Sequence, residues 1–167
     1  MKGLLISTAL VLAAGAAHGE SLKSAIKKYD ATIDNMMMKK DFEGMKKVMR
    51  AGSTPDFQYV ENSPGHPLNV DQMADHLKMG LSSFQKITTV DSHLVSLKHT
   101  GKTATGVSIY SMGGIIMGQD KKPHKMLSSG KATNTYVKTA SGWKVSKMVW
   151  GDDKMTLDGK PMAMPSH

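Results

Sequence analysis

The first half of the chain carries apolar residues at three- and four-residue steps, which is the spacing of amphipathic helices. Between Ser21 and Met38 they mark one side of a helix, and lysines together with Asp34 mark the other side. The same pattern predicts a second helix from Asp41 to about Arg50 and a third from Val70 to about Phe84. Three helices therefore fill most of the first half.

The second half changes to alternating and β-branched positions, which predict strands. A brief strand over Phe57–Val60 comes before the third helix, and Gly113-Gly114 indicates a bulge or sharp bend within the second long strand. A polar connection over 119–130 separates two pairs of long strands. The four long strands are Ile87–Lys98, Thr103–Met117, Lys131–Thr139 and Trp143–Met155. Helices followed by a meander predict an α+β fold, with three N-terminal helices packed on a strongly curved antiparallel sheet.

The N-terminal residues have the pattern of a secretory signal peptide. Lys2 is followed by the apolar run 3–14 and then by small residues. That run is shorter than the roughly 20 residues of a spanning helix. We expect cleavage after Gly19, with cleavage after Ala16 as the alternative. Residues 1–19 are then the signal peptide, and 20–167 form one secreted or periplasmic domain without a transmembrane segment and with a flexible tail from about 159 to 167.

Composition excludes several classes of site. The chain has no cysteine, so it has neither a lipoprotein anchor nor a disulfide, and no cysteine-based metal or nucleophilic site. The formal net charge of +8 favours anionic partners. Specific nucleic-acid binding is not expected, because Arg50 is the only arginine and arginine dominates base and phosphate readout.

The order of several short segments is more informative than any one of them. They are a first helix carrying Tyr29, then Lys40–Met45, Thr54–Phe57, the helix Val70–Phe84, Gly101–Ala104 and the closing hairpin Thr135–Val145. From about Leu22 to Lys160 this order resembles the nuclear-transport-factor-2-like (SnoaL-like, cystatin-like cone) superfamily. The resemblance implies a cone with an internal pocket open at one end. Relatives include isomerases, dehydratases, cyclases and pocket proteins without known activity, so the fold alone does not assign a function.

Enzymes of this superfamily hold a carboxylate inside the cone as a general base, often beside histidine or tyrosine. The best candidate pair in this sequence is Asp56 with Tyr59, although Asp56 also fits an ordinary turn or capping carboxylate. A dehydratase-like pair of histidines is not indicated. His93 and His99 lie on one strand about 20 Å apart, at about 3.3 Å per residue, so they cannot act on the same atom.

Aromatic residues with a polar group suit the wall of a pocket for an organic ligand. Four of them occupy positions that can face the interior of the cone: Tyr29, Tyr110, Tyr136 and Trp150. Ordinary core packing explains the same residues equally simply. A bound small molecule and a homodimer, which the resemblance implies, are the expected partners.

Methionine is abundant, with 15 residues in the chain. Thioethers and imidazole are ligands for Cu(I), and Met162, Met164 and His167 form the one cluster expected to be exposed. Adaptable core filling is the simpler role for most methionines. No cofactor is expected, and no enzyme activity is assigned. The sequence favours an exported protein that binds a small apolar or anionic molecule, with a lyase or isomerase using an Asp/Tyr pair and a Cu(I)-binding protein as alternatives.

Overall fold

In the computed structural model, which describes residues 21–61 and 66–162, three helices pack on a mostly antiparallel sheet. The helices are α1 (Leu22–Lys39), α2 (Phe42–Gly52) and α3 (Val70–Ser82). The strands are β1 (Ser53–Val60), β2 (Phe84–Thr100), β3 (Thr103–Met117), β4 (Pro123–Thr139), β5 (Gly142–Leu157) and β6 (Lys160–Pro161). The predicted signal peptide, residues 1–19, lies outside the described residues.

Local capping explains where the helices begin. Ser21 Oγ accepts a hydrogen bond from Ser24 N and so caps α1, while Lys40 ends the helix in the left-handed conformation. Asn69 and Gln72 form a reciprocal capping box at the start of α3. The three predicted helices are therefore confirmed to within about two residues at each end.

The sheet has the strand order β1-β5-β4-β3-β2, so β2 to β5 form an antiparallel meander. β1 joins the edge of β5 in parallel, and β6 also pairs with β5. The register between β2 and β3 shifts between Ile87 and Thr89, opposite the Gly113-Gly114 pair where the sequence indicates a bulge. Such irregularities increase the twist and bend of a sheet, and the predicted α+β architecture is confirmed.

Two strand boundaries predicted from the sequence are wrong: β1 begins at Ser53 and not at Phe57, and β4 begins well before Lys131. β4 begins at Pro123, because residues 123–130 pair in full with the second half of β3. The polar connection is thereby reduced to 118–122. The C-terminal tail, predicted to be flexible from about residue 159, begins with a paired strand, because Lys160 and Pro161 pair with β5 and Met162 N donates to Met155 O. Residues 163–167, with Met164 and His167, lie outside the described residues.

The core lies between the helices and the sheet. α1 packs against β2, α2 lies beside α3, and the larger cluster of buried side chains includes Ile26, Met45 and Tyr136. A smaller cluster around Leu81 and Phe84 closes the start of β2. In the part of the chain that the structure describes, no helix is long and apolar enough to cross a membrane.

Candidate functional site

A cavity of about 120 Å³ lies between the three helices and the sheet. Its wall is mostly apolar, and methionine is its commonest residue. Large apolar pockets with few polar groups are the usual form of small-molecule sites. The lining residues are Tyr29, Asp30, Ile33 and Met37 from α1, Met49 from α2, Met73 and Leu77 from α3, Ser92 from β2, Tyr110 from β3, and Met148 and Trp150 from β5.

A second cavity of about 140 Å³ adjoins the first. The two share Met37, Leu77, Ser92, Tyr110 and Trp150, and these residues form the boundary between them. Residues of β2, β3 and β4 complete the second cavity: Val90, Ser111, Met112, Ser128 and Ser129. We call the first the inner cavity and the second the outer cavity.

Asp30 is the one acidic residue in the wall of the inner cavity. Asp30 is only 8% exposed. Within the described part of the chain, its carboxylate takes part in no hydrogen bond or ion pair. Burial raises the pKa of Asp30 to about 7, and the nearby charge of Asp34 adds to the effect. The inner cavity therefore contains a carboxyl group that changes protonation state near neutral pH.

The position of Asp30 follows from helix geometry. Ile26, Asp30, Ile33 and Met37 are separated by steps of four, three and four residues, so all four lie on one face of α1. This face packs toward the sheet. Asp30 was not among the pocket residues expected from the sequence, although its spacing from Ile26 and Ile33 was the available signal.

Asp34 lies one helical turn after Asp30 and is half-buried. Ser92 Oγ donates to Asp34 Oδ1 at 2.6 Å. Burial raises the pKa of Asp34 in spite of that hydrogen bond, which acts in the opposite direction. The sequence-based placement of Asp34 on the solvent side of the helix, together with the lysines, is therefore wrong.

Three of the four aromatic residues proposed for the pocket line the inner cavity: Tyr29, Tyr110 and Trp150. The Tyr110 and Trp150 rings lie 5.5 Å apart between centroids at an angle of 37°. Tyr136 is 3% exposed and belongs to the main core cluster. Burial raises the pKa of all three tyrosines, so their hydroxyls are hydrogen-bond donors at neutral pH.

Polar atoms without partners are buried close to Tyr110. Asn134 Nδ2 donates to Tyr110 Oη at 3.3 Å. Asn134 Oδ1 and the hydroxyl of Ser108 are fully buried, and neither makes a hydrogen bond of good geometry among the described residues, although the Ser108 hydroxyl lies close enough to Tyr110 to lower its pKa. Unsatisfied buried polar groups are costly, and they commonly mark a place where water or another molecule binds.

A glycine on β4 makes room for Trp150. A Cβ atom at Gly130 would lie 2.3 Å from Trp150 Cζ2, so a side chain at position 130 would displace the indole. Trp150 Nε1 donates to Asp153 Oδ1, and the register between β4 and β5 shifts beside it. Asp152 adopts a positive φ of 56° at that irregularity. The bulge thus fixes the indole at the boundary between the two cavities.

The structure does not bring Asp56 and Tyr59 together. Asp56 is exposed on β1, whereas Tyr59 is buried and its hydroxyl donates to Glu61 Oε1 at 2.9 Å. The two residues are three positions apart on one strand, so their side chains point to opposite faces. Neither residue lines the inner or the outer cavity.

Within the described residues, no group of three or more His, Cys, Asp or Glu side chains is arranged to hold a metal ion. Of the proposed copper ligands, Met162 is 39% exposed near the end of the described chain. Met164 and His167 lie outside the described residues.

No family model matches the sequence, and no curated protein matches it. Solved structures do. The LinA-type3 hexachlorocyclohexane dehydrochlorinase from Novosphingobium barchaimii LL02 aligns with a TM-score of 0.63 and 14% identity over 92% of this chain and 99% of that one. An NTF2-like superfamily protein from Salmonella enterica serovar Typhimurium LT2 aligns at 0.56 and 13% over 86% and 93%.

A protein from Kribbella flavida, Kfla4162, aligns with a TM-score of 0.59 and 15% identity over 75% of this chain and 86% of that one. At such identities the similarity concerns the fold alone. It agrees with the three helices and the curved meander. The chain therefore has the nuclear-transport-factor-2-like, or SnoaL-like, fold that its sequence resembles.

Proposed function

We propose that the protein binds a small, largely apolar molecule in the inner cavity and that Asp30 engages the polar group of that molecule. The observation that carries the proposal is the buried, unpaired carboxyl of Asp30 in an otherwise apolar wall. A buried carboxyl without a partner destabilises the folded state. A group retained at that cost is typical of a site selected for function.

The rest of the wall suits an organic ligand. Met37, Met49, Met73 and Met148 present flexible thioether side chains, which adapt to irregular apolar shapes. Trp150 adds a flat aromatic surface. The simplest ligand that fits the cavity has an apolar body, which contacts these side chains, and one polar group, which contacts Asp30.

The anionic ligand considered from the sequence has no support from the wall. Among the described residues, no lysine, arginine or histidine lines either cavity. A ligand carboxylate or phosphate would meet Asp30 without a compensating cation, and like charges in a low-dielectric site repel strongly. The site therefore favours neutral or cationic molecules.

Titration with benzyl alcohol tests binding, because this neutral probe combines an apolar ring with one hydroxyl. The chain has two tryptophans, and only Trp150 lines the cavity; Trp143 packs against His99 in another part of the core. We expect saturable movement of the Trp150 indole N–H signal in NMR spectra and none at Trp143. Equal movement of both signals, or of neither, would contradict the proposal.

A pair of variants on α3 tests whether the probe binds in the cavity or on the protein surface. Leu77 lines both cavities, whereas Met79 on the same helix is 68% exposed. We expect Leu77→Trp to fill the cavity and abolish binding of benzyl alcohol, and Met79→Trp to leave it unchanged. Circular dichroism and the melting temperature of both variants show whether each is folded.

A lyase- or isomerase-type reaction is the second candidate, with Asp30 as the general base in place of Asp56, the residue expected from the sequence. A general base works best with a pKa near the working pH, and the pKa of Asp30 is raised to about 7. The ionised carboxylate would take a proton from carbon, and the electron pair of the broken C–H bond would form a double bond as a leaving group departs or as a carbonyl becomes an enolate. A dehydrochlorinase with this fold removes hydrogen chloride, which also requires loss of a proton.

Proton removal can be followed without knowledge of the natural substrate. In D2O, we expect the protein to accelerate deuterium incorporation beside the carbonyl of cyclohexanone. The acceleration should disappear in Asp30→Asn and persist in Asp56→Asn, whose side chain is exposed. Equal exchange in wild type and Asp30→Asn would remove Asp30 from this role.

We further propose that the chain is exported and loses residues 1–19. The support is the charged start, the apolar run and the small residues of the N-terminal sequence. The mature chain recovered from its own cell should begin at Glu20, or at Ala17 for the alternative cleavage. N-terminal sequencing that begins at Met1 would contradict export by this route.

A further inference from the structure

We propose that the ligand of this cavity carries a protonated amine, held near Asp30 and Asp34 and against the rings of Tyr29, Tyr110 and Trp150. This inference rests on the proposed binding function and names its ligand class. It follows from four features of the site: an unpaired buried carboxylate, a second carboxylate one helical turn away, aromatic rings in the cavity wall, and the lack of cationic side chains among the described lining residues.

The first feature is the missing partner of Asp30. An ionised carboxylate that is largely buried loses much of its hydration, and a cation or several hydrogen bonds can replace what is lost. Within the described part of the chain Asp30 has neither. A ligand ammonium group entering the cavity supplies both at once, because it is positively charged and donates up to three hydrogen bonds.

The second feature is the doubling of negative charge on one face of α1. Asp34 is one turn from Asp30, and its carboxylate already accepts a hydrogen bond from Ser92. Asp34 does not itself line either cavity, but its carboxylate lies 2.6 Å from the hydroxyl of Ser92, which lines both. Two carboxylates in one partly buried region repel each other, and a cation between or beside them removes that repulsion.

The third feature is the aromatic wall. Cations bind over the faces of tryptophan and tyrosine rings at about 6 Å or less from the ring centroid, most strongly where water is excluded. The Tyr110 and Trp150 rings stand 5.5 Å apart at the boundary of the two cavities, and Tyr29 lines the inner one. These rings also provide the apolar contact that the rest of an organic amine requires.

The positive charge of the whole chain does not oppose this assignment. The net charge is +8, but screening confines exposed charges to a range of about 8 Å at physiological ionic strength. The ionisable groups that act on Asp30 or share its surroundings are Asp34 and Tyr29 on α1, Tyr110 on β3 and Tyr136 on β4. None of these groups carries a positive charge, so the local field favours a cation.

Three probes of the same size test the inference: benzylamine, benzyl alcohol and benzoate. At pH 8, where Asp30 is mostly ionised, the amine is protonated and the acid is charged. We expect benzylammonium to bind about tenfold more tightly than benzyl alcohol, a difference of about 1.4 kcal/mol, and benzoate to bind most weakly. The shift of the Trp150 indole signal reports all three titrations.

The variant Asp30→Asn tests whether Asp30 is the source of the preference for the amine over the alcohol. In Asp30→Asn, benzylammonium should bind no more tightly than benzyl alcohol, whereas Asp56→Asn, whose side chain is exposed, should keep the tenfold preference. If wild type binds the alcohol as tightly as the amine, the inference is overturned although the pocket stands. If no probe moves the Trp150 signal, the proposed binding function fails as well. A preference for the amine that survives in both Asp30→Asn and Asp34→Asn would also overturn the inference.

Discussion

At the scale of single residues, polar side chains that lack partners gather around Tyr110. Ser108 is completely buried on β3, and its hydroxyl makes no hydrogen bond of good geometry among the described residues. Removing a buried polar group that makes no hydrogen bond relieves its desolvation cost. The energetic effect of a substitution at this position therefore reports whether another molecule satisfies the hydroxyl.

Ser108→Ala is expected to raise the free energy of unfolding by about 1 kcal/mol. The matched control is Ser146→Ala, which removes a half-buried hydroxyl that donates to Thr135 O at 3.3 Å and should lower stability by about 1 kcal/mol. Urea unfolding of both variants gives the comparison. A loss in Ser108→Ala as large as that in Ser146→Ala would show that the Ser108 hydroxyl is hydrogen-bonded in solution.

Ser92 and Asp34 give a second prediction at this scale. The Ser92 hydroxyl stabilises the ionised form of Asp34, so its loss should raise the pKa of that carboxyl further. Carbon-13 NMR titration of the Asp34 carboxyl in wild type and Ser92→Ala measures the shift. An unchanged or lower pKa in the variant would mean that the hydrogen bond is absent in solution.

Some residues of the site could be predicted from the sequence, and others could not. Tyr29, Tyr110 and Trp150 were found because aromatic residues with polar groups suit a pocket wall. Asp30 was missed because burial of a carboxylate depends on what covers it, and the sheet that covers α1 comes from residues more than 50 positions later. Asp56 was expected to line the pocket but is exposed, because its place in the sequence did not indicate which face of β1 it would occupy.

At the scale of elements, close approach of backbone and side chain explains the end of α2. Gly52, the last residue of α2, lies against the ring of Tyr29 on α1, and an added Cβ would be 2.6 Å from Tyr29 Cε2. Because Tyr29 lines the inner cavity, the contact couples the packing of α1 on α2 to the shape of the site.

Gly52→Ala should lower the free energy of unfolding by about 1–3 kcal/mol through overpacking and should change benzyl alcohol binding by moving Tyr29. Gly80→Ala on α3 is the control: nothing lies within 4 Å of its Cβ position, and the substitution should stabilise the helix by about 0.5–1 kcal/mol. Thermal unfolding measures both. A Gly52→Ala variant that is as stable as wild type, or more stable, would refute the close packing of Gly52 against Tyr29.

Helix and strand types were predictable because their periodicity is local, whereas pairing is not. The residues 123–130 were assigned to a connection because they are polar, yet they pair with β3 along their full length. The parallel pairing of β1 with β5 and the short strand β6 likewise depend on contacts between distant residues. Long-range pairing can override composition, and the sequence contains no local signal for it.

At the scale of the whole molecule, Asp30 and His124 are among the groups that make stability fall as the pH rises. The pKa of Asp30 is raised in the folded state, so the folded protein binds more protons than the unfolded chain between about pH 4 and 7. The pKa of His124 is also raised, by hydrogen bonds to Asp158 and Asp120, so its contribution is lost as the pH rises through its folded-state pKa.

The variant Asp30→Asn isolates the contribution of Asp30 to the pH dependence of stability from that of His124. The variant lacks the cost of burying a charge, so it should be more stable than wild type at pH 8, by up to on the order of 4 kcal/mol. The difference should shrink as the pH falls toward the unfolded-state pKa of about 4 and vanish below it, where Asp30 is protonated in both the folded and the unfolded wild type. Urea unfolding at a series of pH values measures it. Parallel curves for the two proteins would contradict the burial of Asp30.

Homodimerisation also belongs to the whole molecule and stays a prediction, since it derives from the resemblance alone. Sedimentation velocity over a range of protein concentrations measures the state of assembly directly. A mass of one chain at every concentration would remove it. The binding proposal rests on side chains of a single chain and does not require a second copy.

Direct titration of the Asp30 carboxyl carbon by NMR tests the central claim most directly, because ligand binding, proton transfer and preference for an amine all depend on this one group. A buried and unpaired carboxyl should change protonation state at about pH 7. It should shift to lower pH when benzylammonium saturates the cavity, because a bound cation favours the ionised form. Titration of Asp30 near pH 4, unaltered by benzylammonium, would show a solvated side chain and contradict the proposed site.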